Sequence, residues 1–349
     1  MEILALAGVA GPATCALRSL EAALFGSDGD SRSLRDAAAA IGWGFRTLFN
    51  RPESMALIRQ GQRETPYWQL ALKYAHDGCL SAVLDEYLHV LRDARGLTFV
   101  PSTEAAPMLA DAVLTALQVR AATLDVEEPC SDADRIEVRR HSMRSLFAMR
   151  FGSDKSEDEE RVRRDTAVSA AFNSPFWPFV LASTSIGQEG LDFHWYCHAV
   201  VHWNLPSNPV DLEQREGRVH RFKGHAVRKN VAKAHGSAAL KSVASDLWAE
   251  MFERASRDAC NGDRGLVPYW LYPVEDGAWI ERRVPLFPLS RDEARFRDLQ
   301  RSLAAYRMVF GQPRQDELLA YLMNKVEPQK LDEWAKLLTI DISPPHYEQ

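Results

Sequence analysis

The residues Ser183-Thr-Ser-Ile-Gly-Gln-Glu-Gly-Leu-Asp192, followed by Gln214-Arg-Glu-Gly-Arg-Val-His-Arg221, decide the fold of this 349-residue chain. One apolar run, Pro178-Phe-Val-Leu-Ala-Ser183, leads into the first stretch, and another, Ala199-Val-Val-His-Trp203, lies between the two. Short apolar runs that end in small or turn residues, with helical patterns between them, are typical of strands in a buried parallel sheet. The sequence therefore predicts an α/β fold with the loop after Ser183 at the ligand-binding carboxyl edge of the sheet.

The second stretch predicts a helix with two arginines on one face. Asn208 is a good N-cap and Pro209 a good first helical residue, so we expect a helix from there to about Gly224. At about 100° per residue, three polar side chains fall within one narrow stripe and two apolar ones point the opposite way. These are Gln214, Arg218 and Arg221 against Leu212 and Val219. Two guanidiniums one turn apart could stabilise charge on a transferring γ-phosphoryl group.

Together the two stretches closely resemble motifs V and VI of superfamily 2 helicases and translocases, most nearly the Swi/Snf-type and related bacterial branch. In that family both motifs lie on the second of two RecA-like lobes that clamp ATP between them. The resemblance is specific over roughly residues 151–230. It implies a second RecA-like lobe, a parallel sheet flanked by helices, with a helical linker before it and a helical accessory region after it. The domains expected are a helical linker or accessory segment over residues 1–95, the RecA-like lobe over 96–262 and a mostly helical accessory region over 263–349.

The resemblance also implies roles for individual residues. Arg218 and Arg221 would be catalytic arginine fingers, while Gln214, Gly190 and Asp192 would lie near the nucleotide. Thr184 and Ser185 would contact the nucleic-acid backbone. Lys223 and Arg228 belong to the densest basic run of the chain, from Arg215 to Lys229, and are candidates for phosphate contacts. A basic helix end that complements its own dipole explains residues 223–229 about as well.

The parts of an ATP site that the first lobe supplies are not found in this sequence. It contains no Gly-x-x-x-x-Gly-Lys-Ser/Thr loop. Leu84-Asp85-Glu86-Tyr87 imitates a Walker B strand, but its apolar neighbours keep helical spacing, so we interpret it as a helix. We therefore expect ATP and Mg²⁺ to be shared with a first RecA-like lobe encoded in the same or an adjacent gene, and the chain alone to be inactive.

Coarse elements follow from periodicity. Residues 1–95 look helical, with two helices joined at Asp77-Gly78; residues 127–137 look like an acidic surface loop, and residues 146–151 like a strand. A charged helix is expected over 157–172, and Gly96-Leu-Thr-Phe-Val100 is a poor candidate for the opening strand of the lobe. Two amphipathic helices are expected over 291–310 and 315–338.

Other signals are weak. A net charge of −6 gives no global signature of nucleic-acid binding, so contacts would come from a local patch. Five scattered cysteines with no Cys-x-x-Cys pair argue against metal or disulfide frameworks, and they suit a reducing cytoplasm. His194, His198 and His202 recur every fourth residue, but a strand would separate them, so no metal site is predicted. The apolar start is too short to span a membrane, and no membrane partner is expected.

The aromatic run Pro268-Tyr-Trp-Leu-Tyr-Pro273 could stack on bases, although Trp and Tyr beside Pro more often pack a domain seam.

Three hypotheses for function remain open. The chain is the C-terminal half of an ATP-dependent DNA helicase or translocase, a binding module without enzymatic activity, or a regulatory subunit that supplies arginines to another ATPase. Nucleic acid, with DNA favoured, is the partner expected.

Overall fold

A computed structural model describes residues 2–24, 31–62, 64–132, 135–151, 158–183, 192–258, 265–309 and 313–338. It divides into two compact units. Unit 1 comprises Met1–Tyr196 with His235–Arg254, and unit 2 comprises Cys197–Ala234 with Ala255–Gln349. The helices α10 and α11, defined below, each contribute residues to both units. The fold is mixed α/β with small parallel strand pairs, as the sequence predicts.

Unit 1 begins with helices, as expected. They are α1 Glu2–Ala10, α2 Pro12–Ala23, α3 Ser31–Phe49, α4 Pro52–Arg59, α5 Tyr67–Asp77, α6 Leu80–Ala94, a 3₁₀ turn Leu97–Phe99, and α7 Ser102–Leu117. One apolar core joins α2, α3, α6 and α7, with Leu20, Ile41, Leu84, Leu109 and Val113 fully buried. The helical prediction for residues 1–95 is confirmed, whereas the strand suggested at 96–100 is wrong because Leu97 turns inward on a 3₁₀ turn.

The break between α5 and α6 lies where Asp77-Gly78 predicts it. Cys79 follows with a φ of 50°, which ends one helix before the next begins at Leu80. Within α6, Leu84 and Tyr87 are buried, and Asp85 accepts a hydrogen bond from Ser19 on α2. Leu84–Tyr87 is therefore helical, and the rejection of a Walker B strand is confirmed.

The segment predicted to be an acidic loop is instead an antiparallel hairpin. Strand β1 Ala122–Asp132 pairs along its whole length with β2 Arg135–Ser145. The many charged residues obscure the alternation of apolar and polar residues that would predict strands. Across the two strands, however, they form ion pairs, Glu127 with Arg140 at 2.8 Å and Glu128 with His141 at 3.2 Å. Such cross-strand pairs favour a hairpin that composition alone suggests is a loop.

A β–α–β segment follows in unit 1. It consists of β3 Ala148–Phe151, α8 Asp158–Phe172 and β4 Val180–Ser183. The strands are parallel, with Ala148 opposite Val180 and Phe151 opposite Ser183. Leu146, Met149, Phe151, Val168 and Ala171 form a small core beneath them. All three predicted elements are confirmed, but the sheet has two strands among the described residues and is not buried on both faces.

Unit 2 holds a second parallel pair and most of the remaining helices. The pair is β5 Ala199–Val201 and β6 Glu281–Arg283. The helices are α9 Pro209–Gly217, α10 His225–Ala239, α11 Leu247–Asp258, α12 Asp292–Met308, α13 Gln315–Lys325 and α14 Pro328–Leu338. The helix predicted over 291–310 is confirmed. The one predicted over 315–338 is two helices, because Pro328 lacks the N–H that a continuous helix needs and starts a new one.

Unit 1 contains a buried charged cluster. Asp246 receives the Arg92 guanidinium at 2.6 Å and lies 3.4 Å from Nδ1 of His89, and its other oxygen accepts from the backbone N–H of Ala249 at the start of α11. The second terminal nitrogen of Arg92 donates to the carbonyl of Ala23 at 2.7 Å. Burial raises the pKa of Asp246, but the hydrogen bond and charge of His89 and the charge of Arg92 more than offset this and hold the pKa well below its usual range. The cluster therefore ties α6 to the start of α11.

Replacing Asp246 tests this connection. In Asp246→Ala, Arg92 stays buried without its carboxylate, so we expect the free energy of unfolding to fall by about 3–5 kcal/mol. Asp77→Ala, which removes an exposed carboxylate beside His76, should change it by less than about 0.5 kcal/mol. Urea denaturation measures both, and equal small losses in the two variants would contradict the account.

Candidate functional site

Helix α9 starts as predicted. The side chain of Asn208 accepts a hydrogen bond from the backbone N–H of Val210 at 2.9 Å, and Pro209 occupies the first turn. Leu212 is fully buried against Leu299 and Leu303 of α12. The cap and the apolar side of the helix therefore follow from the sequence.

The end of α9 differs from the prediction. The helix ends at Gly217 rather than near Gly224, and the backbone N–H groups of Val219 and His220 both donate to the carbonyl of Glu216. The chain then turns through Lys223, whose φ is 48°, before α10 begins at His225. Arg218 and Arg221 therefore lie on a turn after the helix and do not share the predicted helical stripe.

Glu216 fixes this turn to the strands of unit 2. Its carboxylate accepts two hydrogen bonds from Arg282 on β6, at 2.5 and 2.6 Å. It also lies 3.0 Å from Nε2 of His202, which must be the donor because an ionised carboxylate only accepts. His202 is buried directly after β5, and its backbone N–H donates to the carbonyl of Arg283. One carboxylate thus joins the end of α9 to both strands.

These partners stabilise the ionised form of Glu216. Partial burial raises the pKa of Glu216, but the hydrogen bonds from His202 and Arg282 and their charges outweigh it and lower the pKa to about 2. A bidentate guanidinium–carboxylate pair also fixes orientation as well as distance. The turn that carries the arginines is therefore held rigidly on the strand pair.

The candidate nucleotide-facing residues occupy different environments on this turn. Gln214 and Arg221 are exposed, while Arg218 is half-buried. Among the described residues, the Nη1 atom of Arg218 is buried and has no hydrogen-bond partner. A buried donor without a partner is costly, so an anionic ligand that reaches this atom would relieve the cost.

The two candidates for phosphate contacts also differ. Lys223 has its backbone N–H bonded to the carbonyl of Tyr269 at 2.7 Å, and its ammonium lies 5.7 Å from the ring centre of Phe222. Arg228 is fully buried and donates to the carbonyl of Lys223 at 2.8 Å. In this structure Arg228 has no surface to offer a phosphate, so its predicted nucleic-acid contact is replaced by support of the turn.

Motif V lies in unit 1 and is only partly described. Its strand, β4, ends at Ser183 as predicted, but Thr184, Ser185 and Gly190 lie outside the described residues. Asp192 is exposed, and its carbonyl accepts a hydrogen bond from the side chain of Asn173 at 2.7 Å. The roles predicted for these four residues stay predictions.

Sequence reasoning missed Glu216, His202 and Arg282. Glu216 stands within the quoted stretch, but a single carboxylate beside several arginines gives no sign of which one it binds. The fourfold spacing of the histidines gives no sign of the role of His202, whose side chain is buried directly after β5. No local signal in the sequence points to this ion pair, because its partner Arg282 lies 66 residues away in the chain.

Residues 80–223 match the family model described as the helicase conserved C-terminal domain. The matched range includes Asp192, Gln214, Arg218 and Arg221 and ends at Lys223. The match supports a helicase-type C-terminal lobe. The match begins further upstream than the resemblance at 151–230 and starts at the first residue of α6. No curated protein and no solved structure matches the chain.

Within the described helices, none alone is long and apolar enough to cross a membrane. One bent pair, Ile3–Ala10 with Pro12–Ala23, meets the length and composition criteria when taken together, with a bend of 42°.

Glu216→Gln tests how firmly the turn is held. The neutral amide of glutamine cannot accept both hydrogen bonds from the Arg282 guanidinium and carries no charge to pair with it. The free energy of unfolding should therefore fall by about 1–3 kcal/mol. Glu281→Gln, which weakens an exposed pair with Arg283 on the same strand, β6, should cost less than about 1 kcal/mol. Denaturant titration at neutral pH compares them, and a Glu216→Gln loss no larger than that of the control would contradict the role of this carboxylate.

The same pair predicts a pH dependence. Because the folded pKa of Glu216 is about 2 and its ordinary value is 4.5, its contribution is complete above pH 4.5 and is lost as pH falls toward 2. The difference in unfolding free energy between wild type and Glu216→Gln should therefore shrink across this window. A difference that stays constant from pH 5 to about pH 2 would show that the charge of Glu216 is not the stabilising feature.

Proposed function

We propose that the chain is the C-terminal lobe of an ATP-dependent DNA helicase or translocase of superfamily 2. The observation that carries the proposal is the turn after α9, where Arg218 and Arg221 follow a helix that Glu216 ties to both strands of unit 2. The family match to a helicase C-terminal domain supports the same class of lobe.

The chemistry that the turn can supply is stabilisation of phosphoryl charge. Arg218 presents a buried guanidinium nitrogen that has no hydrogen-bond partner among the described residues, and Arg221 is an exposed residue. A guanidinium is always charged and binds phosphate oxygens with fixed geometry. A guanidinium that is held in place beforehand needs little reorganisation when charge develops in the transition state.

The remainder of the ATP site would come from a first RecA-like lobe, on the same polypeptide or on another. Its phosphate loop and magnesium ligand would bind MgATP, and the helicase-type lobe would supply Arg218 and Arg221 toward the γ-phosphate. Gln214, Gly190 and Asp192 would lie near the nucleotide, and Thr184, Ser185 and Lys223 would contact the nucleic-acid backbone. Opening and closing of the cleft between lobes would then move the protein along DNA.

The test is ATP hydrolysis by protein purified through a tag from its own cells, so that any segment or partner with the phosphate loop accompanies it. We expect hydrolysis that DNA stimulates, and a loss of about 10³–10⁵-fold in Arg218→Ala. Arg215→Ala is the matched control, because its guanidinium is on α9 and already donates to the carbonyl of Asn204 at 2.9 Å. It should keep the rate within a few-fold.

Two outcomes would contradict the proposal. One is a wild-type preparation without DNA-stimulated hydrolysis, and the other is an Arg218→Ala preparation that hydrolyses ATP as fast as wild type. The recombinant chain alone, which has no phosphate loop in its sequence, should show no turnover.

A further inference from the structure

Unit 2 contains a half-open cavity of about 230 Å³ beside the arginine turn. Its walls are the segments 219–230 and 270–280. Three aromatic residues, Trp270, Tyr272 and Trp279, line it together with aliphatic residues that include Val227 and Ile280. Trp279 is 64% exposed, so a ring can approach its face from solvent. The cavity therefore offers flat apolar surfaces that solvent can reach.

Hydrogen bonds from α10 hold the wall formed by residues 270–280 in place. The side-chain amide of Asn230 donates to the carbonyls of Tyr272 and Ala278, at 2.8 and 3.1 Å, and accepts from the N–H of Ala278 at 2.6 Å. Lys233 donates to the carbonyls of Glu275 and Asp276, at 2.8 Å each. Asn230 is itself only 5% exposed. Buried side-chain bonds of this kind set the position of the loop before any ligand arrives.

Gly277 shows how closely this loop fits around Asn230. A Cβ atom at Gly277 would lie 2.8 Å from the amide oxygen of Asn230 and 2.8 Å from the carbonyl oxygen of Val274. A larger residue there would have to displace the loop or the amide. The bond between Asn230 and Ala278 next to it would then be strained.

The polar groups of the cavity belong to the turn. Arg221 and His220 border it, and burial lowers the pKa of His220, which favours the neutral ring. Lys229 is exposed on the adjoining α10. The mixture of flat apolar walls with a few polar groups at one side matches a nucleobase, which has apolar faces and a polar edge.

We propose that this cavity binds a nucleobase of single-stranded nucleic acid, stacked on Trp279, with Lys229 of the adjoining α10 directed toward its backbone. A strand is favoured over a free nucleotide because the cavity is open to solvent at Trp279 and the exposed Lys229 lies on the adjoining α10. Stacking accepts any base, so the site would bind with little sequence preference. This inference does not depend on ATP hydrolysis and goes beyond the proposed arginine fingers.

The experiment measures fluorescence anisotropy of a labelled thymidine oligonucleotide titrated with the full chain. Wild type is compared with Trp279→Ala, Trp279→Phe and Trp203→Ala. Trp203 is the matched control, since it is 65% exposed in the same unit and its ring packs on Phe287. An abasic oligonucleotide of equal length isolates the contribution of the bases, and ATP as competitor separates a free nucleotide from a strand.

We expect Trp279→Ala to bind the thymidine oligonucleotide about 5- to 100-fold more weakly, Trp279→Phe to keep most of the affinity, and Trp203→Ala to bind like wild type. The abasic strand should bind wild type and Trp279→Ala equally weakly. Gly277→Ala should weaken binding in the same direction as Trp279→Ala, because it moves the wall that carries Trp279.

The proposal is overturned if Trp279→Ala and wild type bind the thymidine strand alike, or if the abasic strand binds as tightly as the thymidine strand. It is also overturned if ATP displaces the strand and Trp279→Ala weakens only ATP binding, since the cavity would then take a free nucleotide. A motor defect in Arg218→Ala with normal strand binding would leave this proposal standing, so the two can fail separately.

Discussion

The candidate site depends on one carboxylate. The Glu216 carboxylate accepts hydrogen bonds from Nε and Nη2 of Arg282 and from the Nε2–H of His202. It thereby joins the end of α9 to β5 and β6. Helix α9 is also held by Leu212, by its cap at Asn208 and by the bond of Glu213 with Arg307. The far end of the turn is held by Lys223 and Arg228. The ion pair of Glu216 therefore positions the start of the turn, next to Arg218, although neither Arg218 nor Arg221 takes part in it.

The sequence predicted the elements of this region better than their ends. Asn208 and Pro209 act through local chemistry, so the start of α9 could be foreseen, as could β3, α8, β4 and the helices before residue 95. The end of α9 could not, because it follows from contacts between residues far apart in the chain, Glu216 with Arg282 and Lys223 with Tyr269. The sequence pattern remains helical beyond Gly217, and the predicted stripe of Arg218 and Arg221 depends on a helix that continues there.

The β1–β2 hairpin and Arg228 show the same limit in two other forms. Glu127 and Glu128 look like part of a solvated loop until strand pairing brings Arg140 opposite Glu127 and His141 diagonally across from Glu128. The register that does this is not visible in either strand alone. Arg228 counted as part of a basic surface, yet it is buried beneath the turn with its guanidinium on the carbonyl of Lys223. Charge in a sequence indicates a surface only when no internal acceptor is within reach, and backbone carbonyls of a turn are such acceptors.

In the proposed function, the turn after α9 places Arg218 and Arg221 on a transferring phosphate. A structure of the protein, purified with whatever carries its phosphate loop, in complex with ADP, Mg²⁺ and aluminium fluoride as a transition-state mimic would test this placement. We expect the guanidiniums of Arg218 and Arg221 to lie within hydrogen-bond distance of the fluoride, with Glu216 still bound to Arg282 and His202. A nucleotide bound with both guanidiniums directed elsewhere would contradict it.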